Sequence, residues 1–370
     1  MNALAEALQT IKTTAPLYFQ GATDHTIRGR LILKILKEQG NVIMNMKAPQ
    51  MLWDVEVREP KVRALGGGDR HTFNETDAYE QLVIDHAELE STDIMKRRFQ
   101  MINSGSPNAI VDEVGKKMDR ITKALTRKLN AQFYVDNTTG QNVNMLTGLG
   151  SFVKPAAITA GDLVAIPASG ATYGGKSIEL GSLGGQWSAN RATSPNTAAA
   201  TDWPFGSGAT EYDYNTPKLF NTNATIGGDT GWANNCLKLM RRMTNVLEST
   251  GGQGSAPVVH LMGADKYSEF QDKLEEKERT YISDYAKSLG FPSVLQYQEA
   301  VVVKEYDCPT DRAFAVNPEH MALYSVNEEL FASDTDWSTE SQLSAFLACF
   351  LGNFCWTPKY VGAYLDLAAA

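Results

Sequence analysis

Alternating apolar and polar residues predict an extended two-stranded ribbon near the start of the chain. From Gln50 onward apolar side chains alternate with charged ones, which is the period of two of a strand with two unlike faces. A glycine-rich turn at 66–69 reverses the chain, and a return arm follows from 72 to 89. The alternating apolar residues of the two arms are Trp53, Val55, Val57, Tyr79, Val83, Ala87 and Leu89.

A two-stranded ribbon is marginal in water on its own because it buries neither face. This ribbon also interleaves both charge signs, which suits pairing with a complementary neighbour. We therefore expect it to lie across another subunit, although an edge hairpin on its own domain has the same sequence pattern. The candidate residues for the subunit interface are Trp53, Val55, Val57, Arg58, Lys61, Arg63, Tyr79 and Val83.

A long amphipathic helix follows the ribbon. Ser106 has the chemistry of an N-cap, and Pro107 suits the first helical position, where its missing N–H costs nothing. Apolar residues then recur every three or four positions, which predicts one buried stripe along the helix. The stripe consists of Ile110, Val114, Met118, Ile121, Leu125, Leu129 and Phe133.

The opposite face of this helix is strongly basic. Such a face could contact nucleic-acid phosphates, but Asp112, Glu113 and Asp119 lie among or before the cations, and helix surfaces are commonly charged. The pattern favours a solvated or subunit-facing surface and leaves a nucleic-acid contact open. The cations are Lys116, Lys117, Arg120, Lys123, Arg127 and Lys128.

The remaining segments predict a mixed α+β fold. Residues 137–231 are rich in Gly, Ser, Thr, Asn and Ala, which is typical of a loop-rich insertion with short strands. A helical stripe begins at Trp232 and is ended by Gly251 and Gly252. The further expected elements are a strand at 257–262, a helix at 264–277, strands at 300–304 and 313–316, and closing strands within 342–367.

Composition indicates a globular protein with a sizeable core. The 370 residues, 43% of them hydrophobic, suffice for two or three domains or one elaborate domain. A formal net charge of −9 argues against a dedicated nucleic-acid or anionic-membrane binder, since such domains are usually basic. No stretch has the roughly 18 apolar residues of a membrane span, and we expect no export signal and no membrane partner. The cysteines lack metal-site spacing and are expected to be reduced thiols: Cys236, Cys308, Cys349 and Cys355.

One segment matches an enzymatic motif. Residues Gly170 to Ser177 fit the phosphate-binding pattern G-x-x-x-x-G-K-[ST], which cradles nucleotide phosphates when a strand precedes it and a helix follows. The apolar residues at 163–166 suit the strand, but Gly181, Gly184 and Gly185 make a stable helix after Lys176 unfavourable. A P-loop nucleotide-binding hydrolase that uses Gly170–Ser177 is therefore the alternative function, and a helix starting at Lys176 would favour it.

No other constellation of side chains indicates catalysis, a cofactor or a metal. Asp334, Asp336, Ser338 and Glu340 have the spacing of calcium ligands, but the glycine and the distal glutamate of an EF-hand loop are missing. We interpret this segment as a solvated turn. The dispersed histidines and the carboxylates form no recognisable catalytic set in the sequence, so we expect no catalytic, cofactor-binding or metal site.

The order of these parts resembles the major capsid proteins of tailed bacteriophages, which have the Hong Kong 97-type fold. The segment from Arg312 to Ser325 also resembles the late strand-turn-strand of many such proteins, as does Pro358 with the strand after it. The resemblance implies an α+β fold with an N-terminal arm (1–49), an extended two-stranded loop (50–90), a peripheral domain with a spine helix (91–145), an axial domain with a Gly/Ser-rich insertion (146–330), and a C-terminal return to the peripheral domain (331–370).

The resemblance implies a structural protein rather than an enzyme. Members of the resembled family assemble as hexamers and pentamers into an icosahedral head that encloses double-stranded DNA without sequence-specific binding. We expect the virion as its location, assembly in the host cytoplasm, a portal as partner and, because the arm begins almost at Met1, a separate scaffolding protein. Some members crosslink a lysine of the extended loop to an asparagine near the end. That chemistry nominates Lys61 and Asn353, although no motif supports the pair. A tail or decoration component is a further alternative, but it would not need so long a spine helix.

Overall fold

The computed structural model describes residues 31–56, 79–96, 98, 107–138, 140, 144–156, 163–165, 167–178, 215–251, 259–275, 295–298, 300–338 and 343–367. These residues contain four α-helices. They are α1 (Leu31–Glu38), α2 (Pro107–Gln132), α3 (Trp232–Gly251) and α4 (Ala264–Glu275).

Sixteen strands lie in the same described residues. They are β1 (Val42–Ile43), β2 (Gln50–Glu56), β3 (Tyr79–Asp85), β4 (Ala87–Lys96), β5 (Val164–Ala165), β6 (Thr172–Tyr173), β7 (Lys176–Ser177), β8 (Lys218–Asn221), β9 (Val259–Met262), β10 (Leu295–Tyr297), β11 (Ala300–Lys304), β12 (Arg312–Val316), β13 (Met321–Ser325), β14 (Ala332–Ser338), β15 (Leu343–Trp356) and β16 (Gly362–Leu365).

The chain divides into two compact units, and it passes between them several times. Unit 1 comprises Met1–Met51, Asp85–Leu149 and Met321–Cys355. Unit 2 comprises Leu52–Ile84, Gly150–His320 and Trp356–Ala370. Each unit is therefore assembled from segments that lie far apart in the sequence.

A five-stranded sheet and the helix α2 form the framework of unit 1. The sheet has the order β1-β13-β15-β14, and β4 pairs with β15 in antiparallel register from Leu343↔Lys96 to Gly352↔Ala87. Helix α2 lies along β4. Its apolar stripe is buried as the spacing predicts, and the ring of Phe133 meets the ring of Phe354 edge-on at 5.4 Å. The buried stripe residues are Val114, Met118, Ile121, Leu125, Leu129 and Phe133.

Unit 2 is organised around a seven-stranded mixed sheet of order β10-β11-β9-β12-β16-β8-β5. Helices α3 and α4 pack against each other, and their apolar side chains join those of the sheet in one hydrophobic cluster. Tyr364 of β16 is fully buried in this cluster, and the ring of Trp232 meets it edge-on at 5.2 Å. Unit 2 therefore has a continuous core that spans its helices and its sheet.

The predicted regular elements are confirmed at α2, α3, α4, β9, β11, β12, β15 and β16. The return arm of the ribbon is shorter than predicted, because β3 ends at Asp85 and Leu89 belongs to β4 of the five-stranded sheet. The solvated turn predicted at Asp334 and Asp336 is wrong, since both residues lie in β14 and pair with β15. The arm at 1–30 lies outside the described residues, and the division into five domains stays a prediction.

Candidate assembly surfaces

The described part of the ribbon consists of β2 and β3, which pair as a two-stranded sheet. One face points inward: Leu82 and Ile84 are buried, and Trp53 and Val55 are half-buried. The other face carries Leu52 and Tyr79, which are 49% and 64% exposed. The ribbon thus has two unlike faces, as its period of two predicts.

The inward face of the ribbon rests on its own unit. Strands β6 and β7 form a short hairpin, and the ring of its Tyr173 lies 6.3 Å from the ring of Trp53. The amide of Val83 donates to the carbonyl of Gly174 at 3.2 Å. Gly174 has a φ of 59°, and an added Cβ would lie 3.0 Å from Cβ of Leu82, so a larger residue would be both strained and crowded there. The base of the ribbon is therefore held by contacts within its own subunit.

The outward face is tied together by side chains but is not covered by the described residues. Gln50 donates from Nε2 to Oδ1 of Asp85 at 2.7 Å, and Gln81 donates from Nε2 to Oδ1 of Asp54 at 3.3 Å. These cross-strand bonds fix the spacing of the two strands on either side of Leu52. An ordered, partly apolar surface that the described residues leave uncovered is suited to binding a partner.

The ribbon's predicted interface residues thus fall into different groups. Trp53, Val55 and Val83 are half-buried, and Trp53 and Val83 contact the β6–β7 hairpin of their own unit. Tyr79 is exposed on the outward face. The remaining four, Val57, Arg58, Lys61 and Arg63, lie outside the described residues.

Leu52 is a surface residue that the sequence prediction missed. The alternation draws attention to Trp53, Val55 and Val57 and predicts this apolar set at the subunit interface. The structure turns Trp53 and Val55 towards their own unit and turns Leu52 outward. The signal was present, because Leu52 is an apolar residue in register with Gln50, Asp54 and Glu56, whose positions are otherwise polar.

The phosphate-binding motif does not have the structure that its chemistry requires. Lys176 and Ser177 form strand β7, where a P-loop begins a helix. The ammonium of Lys176 lies 2.5 Å from Oε2 of Glu80 in the ribbon, and Nδ2 of Asn215 donates to the carbonyls of Tyr173 and Lys176. The motif is a turn that supports the ribbon, so the alternative of a P-loop hydrolase is wrong.

The side chain of Asn353 is buried and hydrogen-bonded in the interior of unit 1. It is 2% exposed, and its Oδ1 accepts from the amides of Thr147 at 2.7 Å and Phe354 at 2.8 Å. Its Nδ2 donates to the carbonyl of Asp85 at 2.9 Å and to Oγ1 of Thr147 at 3.1 Å. These four bonds use both ends of the amide, so Asn353 is unsuited to the covalent crosslink for which the resemblance nominated it.

The exposed face of α2 keeps the basic character that the sequence shows. Lys117 is partly buried, and its Nζ lies 3.2 Å from Oδ1 of Asp93 in β4. Arg120 is nearby but 81% exposed, with its guanidinium 3.8 Å from Oδ2 of the same carboxylate. The other basic side chains of this face are exposed: Lys116, Lys123, Arg127 and Lys128.

Burial shifts the pKa values of titratable groups in the interior of unit 2. Burial lowers the pKa of His260 to about 3 and raises the pKa of Cys236 to about 11. Nζ of Lys266 lies 2.7 and 2.8 Å from the two carboxylate oxygens of Asp366, which gives this buried cation a bidentate partner. The described residues contain no group of three or more His, Cys, Asp or Glu side chains able to hold a metal ion. Within that part of the chain, no helix is long and apolar enough to span a membrane.

Comparison with known proteins places the fold. No family model matches the chain, and no curated protein sequence matches it. A chain of the cyanophage A-1(L) capsid asymmetric unit is 14% identical to it, with 90% of this chain and 92% of that chain covered and a TM-score of 0.54. A chain of the capsid of Myoviridae phage XM1 is 12% identical, with coverage of 90% and 92% and a TM-score of 0.50. The chain therefore has the α+β, Hong Kong 97-type fold of phage major capsid proteins.

Proposed function

We propose that the chain is a major capsid protein that self-assembles into the icosahedral head shell of a tailed bacteriophage. The observation that carries this proposal is the correspondence of nearly the whole chain, in fold and in coverage, to a subunit of the cyanophage A-1(L) capsid. Coverage of about nine tenths of both chains favours the shell subunit over a smaller decoration or tail component.

The open face of the ribbon supplies a surface through which copies would associate. Leu52 and Tyr79 are exposed there, and their own subunit does not cover them within the described residues. Burial of apolar surface stabilises by about 25 cal/mol per Å², so a modest contact gains weight when every copy in a closed shell repeats it. Hexamers and pentamers are the capsomers that this proposal expects.

Several partners belong to the proposal. The shell would enclose double-stranded DNA without reading its sequence, would be built around a separate scaffolding protein, and would carry a portal. It would form in the host cytoplasm and persist in the virion. The net charge of −9 suits a container that must not grip its contents over its whole surface. We propose no catalytic activity and no cofactor.

Light scattering and negative-stain imaging of the purified chain over a concentration series test the proposal. We expect capsomer-sized rings or uniform shells at high concentration. A species that stays monomeric or dimeric at every concentration, in molecular crowding agents and after chemical crosslinking, would contradict self-assembly of the chain without its scaffolding protein.

Ribbon variants locate the association. The double substitution Leu52→Ser and Tyr79→Ser removes the exposed apolar groups and should leave folded subunits that no longer form rings or shells. The matched control, Leu52→Met with Tyr79→Phe, keeps the apolar area at the same positions and should assemble. Normal assembly of the serine variant would show that the outward face of the ribbon is not a subunit contact.

A further inference from the structure

The exposed face of α2 concentrates positive charge on a chain that is acidic overall. Its exposed cations are Lys116, Arg120, Lys123, Arg127 and Lys128, and Asp119 is the exposed acid among them. The whole chain, in contrast, has a formal net charge of −9. This face is therefore a local reversal of the charge of the molecule.

Within the described residues, ion pairs involve Lys117 and, at the longer distance of 3.8 Å to Asp93, Arg120, but not the rest of the exposed row. Lys117 is paired with Asp93 at 3.2 Å and lies 3.9 Å from Glu113, which shows how an internally satisfied cation is arranged here. Among the residues that the structure describes, no carboxylate lies within 4.0 Å of Lys116, Lys123, Arg127 or Lys128. The exposed row is thus available to a partner of negative charge.

The spacing of the cations does not help the helix to form. Lys116 and Arg120 lie four residues apart, as do Lys123 and Arg127. Like charges at this spacing destabilise an isolated helix by about 0.2 to 0.5 kcal/mol per pair. The stability of α2 comes from its buried apolar stripe on the other side, and the like-charge pairs of the basic row do not add to it.

The chemistry of the face favours a polyanion over an ordinary protein partner. Protein interfaces have an apolar core from which lysine is depleted. The large exposed hydrophobic residues of the described chain are Ile43, Leu52, Tyr79, Ile94 and Tyr306, and none of them lies on α2. A surface of charge without apolar anchors is typical of sequence-independent contact with phosphates.

We propose that the exposed basic face of α2 binds the phosphate backbone of duplex nucleic acid. This inference rests on the proposed function, because the enclosed genome would supply the phosphates. The row Lys116, Arg120, Lys123 and Arg127 follows one helix face for about 16 Å at 1.5 Å per residue. A DNA duplex carries one charge per about 1.7 Å of axis, so this length faces several phosphates at once.

The test measures DNA binding by the unassembled full-length chain. Fluorescence anisotropy of a labelled duplex of about 24 base pairs gives the affinity at salt concentrations between about 50 and 200 mM. The basic-row variant combines Lys116→Gln, Lys123→Gln and Arg127→Gln. We expect its affinity at the lowest salt to fall by about tenfold or more, and the slope of log affinity against log salt to decrease by roughly 2 to 3.

A control variant with the same change in net charge distinguishes an effect of the basic row on DNA affinity from an effect of net charge. It combines Lys238→Gln, Arg241→Gln and Lys304→Gln, three cations of unit 2. The control should bind DNA nearly as well as the wild type. An equal loss of affinity in both variants would overturn the inference. Tighter binding of the wild type to polyglutamate than to the duplex would also overturn it and assign the face to an acidic protein.

Assembly of the same variants distinguishes this inference from the proposed function. A basic-row variant that forms normal shells but has lost DNA binding supports both the inference and the proposed function. A basic-row variant that binds DNA like the wild type but fails to assemble would make the face a subunit contact and overturn only the inference. A wild type that binds DNA through the basic row but never assembles would count only against the proposed function.

Discussion

Closely packed glycines in the two units of the chain have different neighbours. Unit 2 has one continuous apolar cluster, in which side chains from α3, α4 and the seven-stranded sheet share the burial. Unit 1, which like unit 2 consists of three segments, has close contacts at single residues of β15: Gly352 lies against Tyr324 of β13, and Asn353 binds Asp85 and Thr147 of another segment. We call these two contacts the joints of unit 1. A distributed core tolerates local change, whereas a joint made by one residue does not. Substitutions at matched positions in the two units should therefore differ in effect.

Gly352→Ala in unit 1 should have the largest effect. A Cβ added at Gly352 would lie about 1.9 Å from the carbonyl oxygen of Tyr324 in β13, and a backbone oxygen in a sheet has little freedom to move away. We expect a loss of about 3 to 5 kcal/mol in the free energy of unfolding, measured by urea denaturation of unassembled subunits. Hydrogen exchange should show the loss first in β13 and β15. Unchanged protection there would contradict this account of the joint.

Asn353→Ala should have the second largest effect. It leaves the amides of Thr147 and Phe354 and the carbonyl of Asp85 without their buried partner, and each such group costs about 1 to 3 kcal/mol. We expect a net loss of about 3 kcal/mol in urea denaturation. The matched control is Asn327→Ala in the same unit, because the side-chain amide of Asn327 makes a long bond of 3.5 Å to the carbonyl of Cys349. Equal losses in the two variants would show that Asn353 has no special role.

Acid should weaken unit 2 through His260. Burial lowers its pKa to about 3 in the folded chain, below the ordinary imidazole value of 6.5. The unfolded chain therefore takes up a proton first as the pH falls, and stability present above pH 6.5 is lost progressively down to about pH 3. At pH 4.5 the loss is about 2 to 3 kcal/mol. His260→Gln should flatten this part of the pH profile of unfolding. Parallel profiles for the variant and the wild type would exclude His260 as the cause.

Sequence periodicity predicted the elements of both units well, because local burial decides whether a stretch is helix or strand. Helix α2 begins at Pro107 as its N-terminal signal predicts, and α3 ends at Gly251. The alternation continues through Leu89, but this run forms two strands with different partners: β3 pairs with β2, and β4 pairs with β15. Strand partners are set by residues far along the chain, so local pattern does not reveal them.

The same limit applies to the candidate interface. Alternation at Trp53 and Val55 correctly predicts a face that avoids water, but a buried face looks the same in sequence whether its cover comes from the same subunit or from a neighbour. The structure supplies that cover for Trp53 from Tyr173, which left Leu52 and Tyr79 as the open apolar residues of the described ribbon. The prediction of a hydrolase from the phosphate-binding motif is wrong for a related reason. Its residues match, but the strand at Lys176 and the ion pair with Glu80 give them another role.

Gly362→Ala in unit 2 is the matched counterpart of Gly352→Ala and should have the smallest effect. An added Cβ at Gly362 would lie about 2.5 Å from Sδ of Met243, so the glycine is crowded as well. The neighbour here is the flexible end of a methionine side chain, which can change rotamer inside a large apolar cluster. We expect a loss of about 1 kcal/mol in urea denaturation, far less than at Gly352. Met243→Ala by itself should cost about 2 to 5 kcal/mol, because it opens a cavity in the cluster, and should cost less when combined with Gly362→Ala, whose new methyl fills part of that space. If Gly362→Ala were as damaging as Gly352→Ala, the core of unit 2 would be as intolerant as the joints of unit 1, and the difference drawn between the two units would not hold.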